Sequence, residues 1–189
     1  PSIVLFGSMV SGFARRGQMD RAEHYYQLGQ RTHGVLFTNT CAGLVDGYAK
    51  RGEGRKALQN LTKLAHPDVF QLENIVLGSS LRNDLDVASA AMAKMSQLRM
   101  KPTSRATRHL VHSSAVATDF TRASKCITDF ETARPKSSTD LPCYTSIMRA
   151  CAFRNDMEAA GNWLKRGVTR ARDKKDLMSA CHTVMRQVE

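Results

Sequence analysis

The stretch VFQLENIVLGSSLRNDLDVASAAMAKMSQLRMKPT, Val69 to Thr103, decides the fold. Leu72, Ile75, Val76 and Ser79 stand at the i, i+3, i+4, i+7 spacing of one helical face. Asn83-Asp84 makes a turn, and Leu85, Ala88, Ala91, Met92 and Met95 form a second face of the same kind. Pro102 closes the segment, because it has no N–H to donate and its ring clashes with a continuing helix. Two helices this short cannot cover each other's apolar faces. They need neighbours of the same kind.

The rest of the chain supplies them. Ala88 has equivalents at Ala22, Ala57, Ala123 and Ala160, giving successive steps of 35, 31, 35 and 37 residues. Three residues before each alanine stands Met19, Gly54, Leu85, Phe120 or Met157; four after stands Tyr26, Leu61, Met92, Ile127 or Leu164. The first helices agree independently. Phe6, Met9, Val10 and Phe13 match Cys41, Leu44, Val45 and Tyr48, then Thr107, Leu110, Val111 and Ser114, then Tyr144, Ile147, Met148 and Cys151. GFARRGQMDRA (12–22) and GYAKRGEGRKA (47–57) repeat the same turn phrase, with Gly17 and Gly52 where one helix stops and the next begins.

The predicted organisation is all-α: helix-turn-helix repeats at 3–37, 38–68, 69–103, 104–140 and 141–166, stacked into one continuous body over 1–166. Ile3 to Arg15 is the first helix, Arg31 to Phe37 a loop, and 167–189 a capping helix built on Leu177, Met178, Cys181, Val184 and Met185. The second copy ends early, at His66-Pro67-Asp68, which accounts for the 31-residue step.

The 189 residues carry 28 Lys+Arg against 17 Asp+Glu, a net charge of +11 that favours a polyanionic partner. No run of about 18 apolar residues occurs, so no membrane insertion is expected. The five cysteines are scattered, with no CxxC pair, which suits a reducing compartment better than a disulfide framework. His109 and His112 lack a third ligand nearby, so no metal is expected. Gly52-Glu53-Gly54 is a helix–helix turn rather than a phosphate loop, since no Gly-Lys-Ser/Thr follows. No deaminase signature is present. The reading is a binding protein without cofactor, not an enzyme.

The four most regular segments, GFARRGQMDRA, GYAKRGEGRKA, NDLDVASAAMAKMSQLRMKPT and YTSIMRACAFRNDMEAA, resemble pentatricopeptide repeats, and the resemblance runs from Ile3 to about Arg166. The tetratricopeptide pattern of Trp, Leu, Gly and Tyr in the first helix is absent. The resemblance implies a right-handed α-solenoid whose first helices line a basic groove for single-stranded RNA, mostly in mitochondria or plastids. It places base-reading residues at Gly7, Ala42, Glu73, Arg108 and Thr145, of which only Thr145 is of the usual type. Their repeat-ending partners are Phe37, Asp68, Thr103 and Asp140. The residues packing against bases are Val4, Asn39, Phe70, Arg105 and Pro142, and Arg15 and Lys50 take the phosphate-contacting place. The expected RNA-binding set is therefore Arg15, Lys50, Asp68, Thr103, Arg105, Arg108, Asp140 and Thr145. Two functions follow. One is a mitochondrial (alternatively plastid) RNA-binding protein of RNA processing, stability or translation, with limited base selectivity. The other is an architectural subunit of a mitochondrial ribosome or another large organellar assembly, contacting ribosomal RNA and protein neighbours.

Overall fold

The computed structural model describes residues 2–33, 38–64, 66–134 and 141–170. Among them are ten helices and no strand: α1 (Ile3–Arg15), α2 (Met19–His33), α3 (Thr38–Arg51), α4 (Gly54–Leu61), α5 (Val69–Leu81), α6 (Leu85–Gln97), α7 (Ser104–Val116), α8 (Phe120–Ala133), α9 (Leu141–Phe153) and α10 (Met157–Arg170). The fold is an all-α helical-repeat solenoid. The chain divides into two compact units, 1–100 and 101–189, and not into the single body expected. The division falls in the Lys-Pro-Thr exit, where Arg99 takes a left-handed φ of 55° and Pro102 cannot prolong a helix.

In the first unit α1 pairs with α2, α3 with α4 and α5 with α6, while α1 packs on α3 and α3 on α5. In the second, α7 pairs with α8, α9 with α10, and α7 packs on α9. The apolar stripes drive this arrangement. Leu72, Ile75, Val76 and Ser79 are fully buried, as are Cys41, Leu44, Val45 and Tyr48; Thr107, Leu110, Val111 and Ser114 match them in the second unit. The marker alanines Ala22, Ala57, Ala88 and Ala123 are completely enclosed. Each buried Leu, Ile or Val contributes about 1.5–3 kcal/mol, so packing outweighs helix propensity in these short segments. Met157, at a place apolar in its counterparts, is exposed instead.

Each helix pair turns in the same way. Gly17, Gly52, Asn83, Thr118 and Asn155 hold φ between 55° and 75°. The next residue donates its N–H back to the first helix, Gln18 to Phe13 at 3.0 Å, Glu53 to Tyr48 at 2.9 Å, Asp84 to Ser79 at 2.9 Å, Asp119 to Ser114 at 2.8 Å and Asp156 to Cys151 at 3.0 Å. These bonds close a Schellman turn. The fourth turn has no glycine and uses Thr118 regardless. Asp84, Asp119 and Asp156 then cap the second helices, accepting from Val87 N (3.4 Å), Arg122 N (3.0 Å) and Ala159 N (3.0 Å).

Two boundaries differ from expectation. Helix α2 runs to His33, so Arg31–His33 is not loop; 34–37 lie outside the described residues. Pro142 sits in the first turn of α9, where a missing N–H costs no helical bond. The chain does not break at Gly167, because that residue is buried in α10 against the Tyr144 ring, 3.4 Å from where a Cβ would stand. The rest of the expected capping helix, 171–189, lies outside the described residues. Cys41, Cys126, Cys143 and Cys151 are buried, and burial pushes the Cys126 thiol up to about 12.

Asp68 is the N-cap of α5. Its carboxylate accepts from Gln71 N at 2.8 Å, while its own N–H donates to Gln71 Oε1 at 2.9 Å, a full capping box. Asp68→Ala is expected to cost about 1 kcal/mol, read as a lower denaturation midpoint. An unchanged midpoint would show that solvent replaces the cap without loss.

Candidate nucleic-acid interface

Helix register sorts the first helices into matching rows. The fifth residues of α1, α3, α5, α7 and α9 are Gly7, Ala42, Glu73, Arg108 and Thr145; the thirteenth are Arg15, Lys50, Leu81, Val116 and Phe153. These rows carry half of the expected site, and the two units present them differently.

In the first unit Arg15 and Lys50 end adjacent packed helices and are both exposed. Cations suit that end of a helix through its dipole, worth about 0.3–1 kcal/mol each. Their neighbours are structurally engaged. Arg51 pairs with Glu53 at 2.7 Å, Glu53 also takes Lys56 at 3.0 Å, and the Arg82 guanidinium donates to the Arg51 carbonyl at 3.3 Å. The row then ends on Leu81, 74% exposed. Asp46 accepts from Asn74 at 3.2 Å, tying α3 to α5. Glu73 is only 5% exposed, which withdraws it from any base edge.

The second unit gathers the basic residues. Thr103 caps α7 by accepting from Ala106 N at 3.1 Å, and Arg105 and Arg108 project from the exposed side of that helix one turn apart. Thr145 stands in the Arg108 row on α9, with its hydroxyl donated to the Pro142 carbonyl at 3.1 Å. His112 Nδ1 lies 3.3 Å from Ser146 Oγ and bridges the two helices. Arg149 occupies the His112 row on α9. Neither α7 nor α9 contains a carboxylate. Asp140 lies outside the described residues.

So Thr103, Arg105, Arg108 and Thr145 come together in one unit, and Arg15, Lys50 and Asp68 belong to the other. Sequence reasoning missed Arg149 and His112. The signal was available, because the 37-residue step that relates Ala123 to Ala160 also relates His112 to Arg149.

Other cations serve the fold. Arg166 pairs with Glu131 at 2.8 Å and lies over the Trp163 ring at 5.2 Å; its hydrogen bond to Glu131 holds the guanidinium pKa above its ordinary value. Tyr144 also donates to Glu131. In the first unit Tyr48 donates to Glu23, and burial first, then that carboxylate, pushes the phenol upward. Among the described residues no group of three or more His, Cys, Asp or Glu could hold a metal, and no helix is long and apolar enough to cross a membrane.

Residues 4–30 match the family model of the PPR repeat, which places the match on α1 and α2. The crystal structure of the pentatricopeptide repeat protein PPR10 from maize superposes with a TM-score of 0.76 at 21% identity, over 98% of this chain. The chain spans about a quarter of that protein's length, 26%. At that identity the likeness shows the fold. No curated protein matches the chain.

Proposed function

We propose that this chain, whose first helix pair matches the model of the PPR repeat and whose helix pairs share the fold of a pentatricopeptide-repeat protein, binds single-stranded RNA along its first helices. One observation carries the reading: Arg105, Arg108 and Arg149 stand on two adjacent packed helices that have no carboxylate between them. Guanidinium groups on such a face neutralise phosphates and release counterions. Base selectivity is low in this reading. Gly7 and Ala42 offer no side-chain hydrogen bond, and Glu73 is buried. Arg15 and Lys50 extend the phosphate contacts within the first unit. The process served is mitochondrial RNA metabolism or translation, with the plastid as the alternative. The role is binding, not catalysis.

A second reading makes the chain an architectural subunit of a mitochondrial ribosome or another large organellar assembly, held by ribosomal RNA and protein neighbours. The exposure of Phe70 and Leu81 on α5 favours it, since large apolar side chains on an open helix face suit a protein neighbour.

Titration of the purified chain with single-stranded and duplex RNA at two salt concentrations tests the proposal. With about three phosphates contacted, log affinity for a single strand should fall against log salt with a slope near −2, about 20-fold between 50 and 200 mM. No binding at the lower salt would sink the RNA reading and leave the protein-contact role.

A further inference from the structure

We infer that the groove between the C-terminal halves of α7 and α9 seats one unstacked base of the bound RNA, at a place where the first unit offers phosphate contacts. This rests on the RNA-binding reading above. In the thirteenth row, Arg15 and Lys50 of the first unit are replaced by Val116 and Phe153. Both replacements stand open, Val116 at 69% and Phe153 at 72% exposure. A groove of about 310 Å³ is lined by Ala115, Val116, Ala150 and Phe153. That volume is at the small end of the range for ligand sites, about 300–1,000 Å³.

Charge selects the occupant. His112, Arg149 and Arg154 also line the groove, and no carboxylate does among the described residues. Arg154 also lies over the Phe120 ring at 5.5 Å. An aromatic face beside guanidinium groups is the surface on which proteins stack unpaired RNA bases, while the cations hold the flanking phosphates. The small side chains of Ala115 and Ala150 leave room for a flat ring. Ser146 Oγ and the His112 imidazole, 3.3 Å apart, offer polar atoms at the same wall to a base edge.

The test uses the full chain and a short uridine-rich single strand carrying 2-aminopurine at successive positions. Binding should change the emission strongly at one position. Phe153→Ala should remove that change, weaken binding about tenfold and leave the salt slope as it was, because no cation is lost. Phe153→Tyr should keep both the emission change and the affinity. Phe153 is exposed, so these variants leave the packed stripe intact. If Phe153→Ala binds as tightly as the parent with the same emission, the groove holds no base, RNA binding stands, and a protein side chain becomes its occupant. If the parent chain binds no RNA at low salt, the groove and the RNA reading fall together.

Discussion

Gly78→Ala is expected to destabilise the first unit by about 2–3 kcal/mol. Gly78 is the tenth residue of α5, and a Cβ there would collide with the carbonyl oxygen of Ala49, with its carbon at 2.9 Å and Gly52 Cα at 3.5 Å. The obstacle is backbone, which cannot swing aside as a flexible side chain can. Relief requires α5 to move off the end of α3, opening the stripe of Leu72, Ile75 and Val76. Overpacking of this kind costs about 1–3 kcal/mol, occasionally more. The helix-propensity gain of alanine over glycine, about 1 kcal/mol, offsets only part of a clash with main chain. The comparison residue is Gly12, the tenth residue of α1, where a Cβ would meet nothing within 4 Å. Gly12→Ala should therefore stabilise the same unit by up to about 1 kcal/mol. Chemical denaturation of the two variants gives the opposed signs, and amide exchange in α3 and α5 shows where Gly78→Ala acts. Equal effects from both would mean that the close approach of α5 to α3 does not decide stability.

Arg108→Glu combined with Arg149→Glu is expected to weaken RNA binding about 100-fold at low salt. Each charge-assisted phosphate contact is worth about 1.5–3 kcal/mol, and about 1.4 kcal/mol is tenfold. The salt slope should flatten by about 1.4, two phosphates at about 0.7 each. Arg108 is exposed, Arg149 is half-buried, and both stand outside the ion pairs that hold the helices together, so helicity should be unchanged. The control is Lys125→Glu with Lys165→Glu, an identical change of net charge on exposed faces of α8 and α10. It should shift affinity by less than about threefold if binding reads the first helices, since exposed charges beyond about 8–10 Å are largely screened. Comparable losses from both pairs would show that the chain responds to its overall charge of +11 and not to the α7–α9 face.

Most of the fold was legible because its causes are local. Leu72, Ile75, Val76 and Ser79 announce a helix face by spacing alone, and all four are buried. Gly17 and Gly52 announce turns because left-handed backbone favours glycine. The turn at Thr118 takes the same backbone without a glycine, against local preference. The candidate site was less legible. Asp68 and Thr103 have residue types suited to reading a base, and the structure also uses each to cap a helix. Arg51, next to Lys50 in the sequence, pairs with Glu53. Such outcomes depend on which neighbour a long side chain reaches, and composition does not encode that.

Sequence by itself determined the repeat, the register and the charge of each first helix, because helical periodicity is a property of residues a few positions apart. It placed Gly12 and Gly78 at the same register position and could not distinguish them. Tertiary structure decided that one faces open space and the other a backbone oxygen. It likewise decided that Val116 and Phe153, two members of one row separated by 37 residues, line a single groove. The physical reason is common to both. A side chain's environment is set by the helix packed against it, and that helix is distant in sequence.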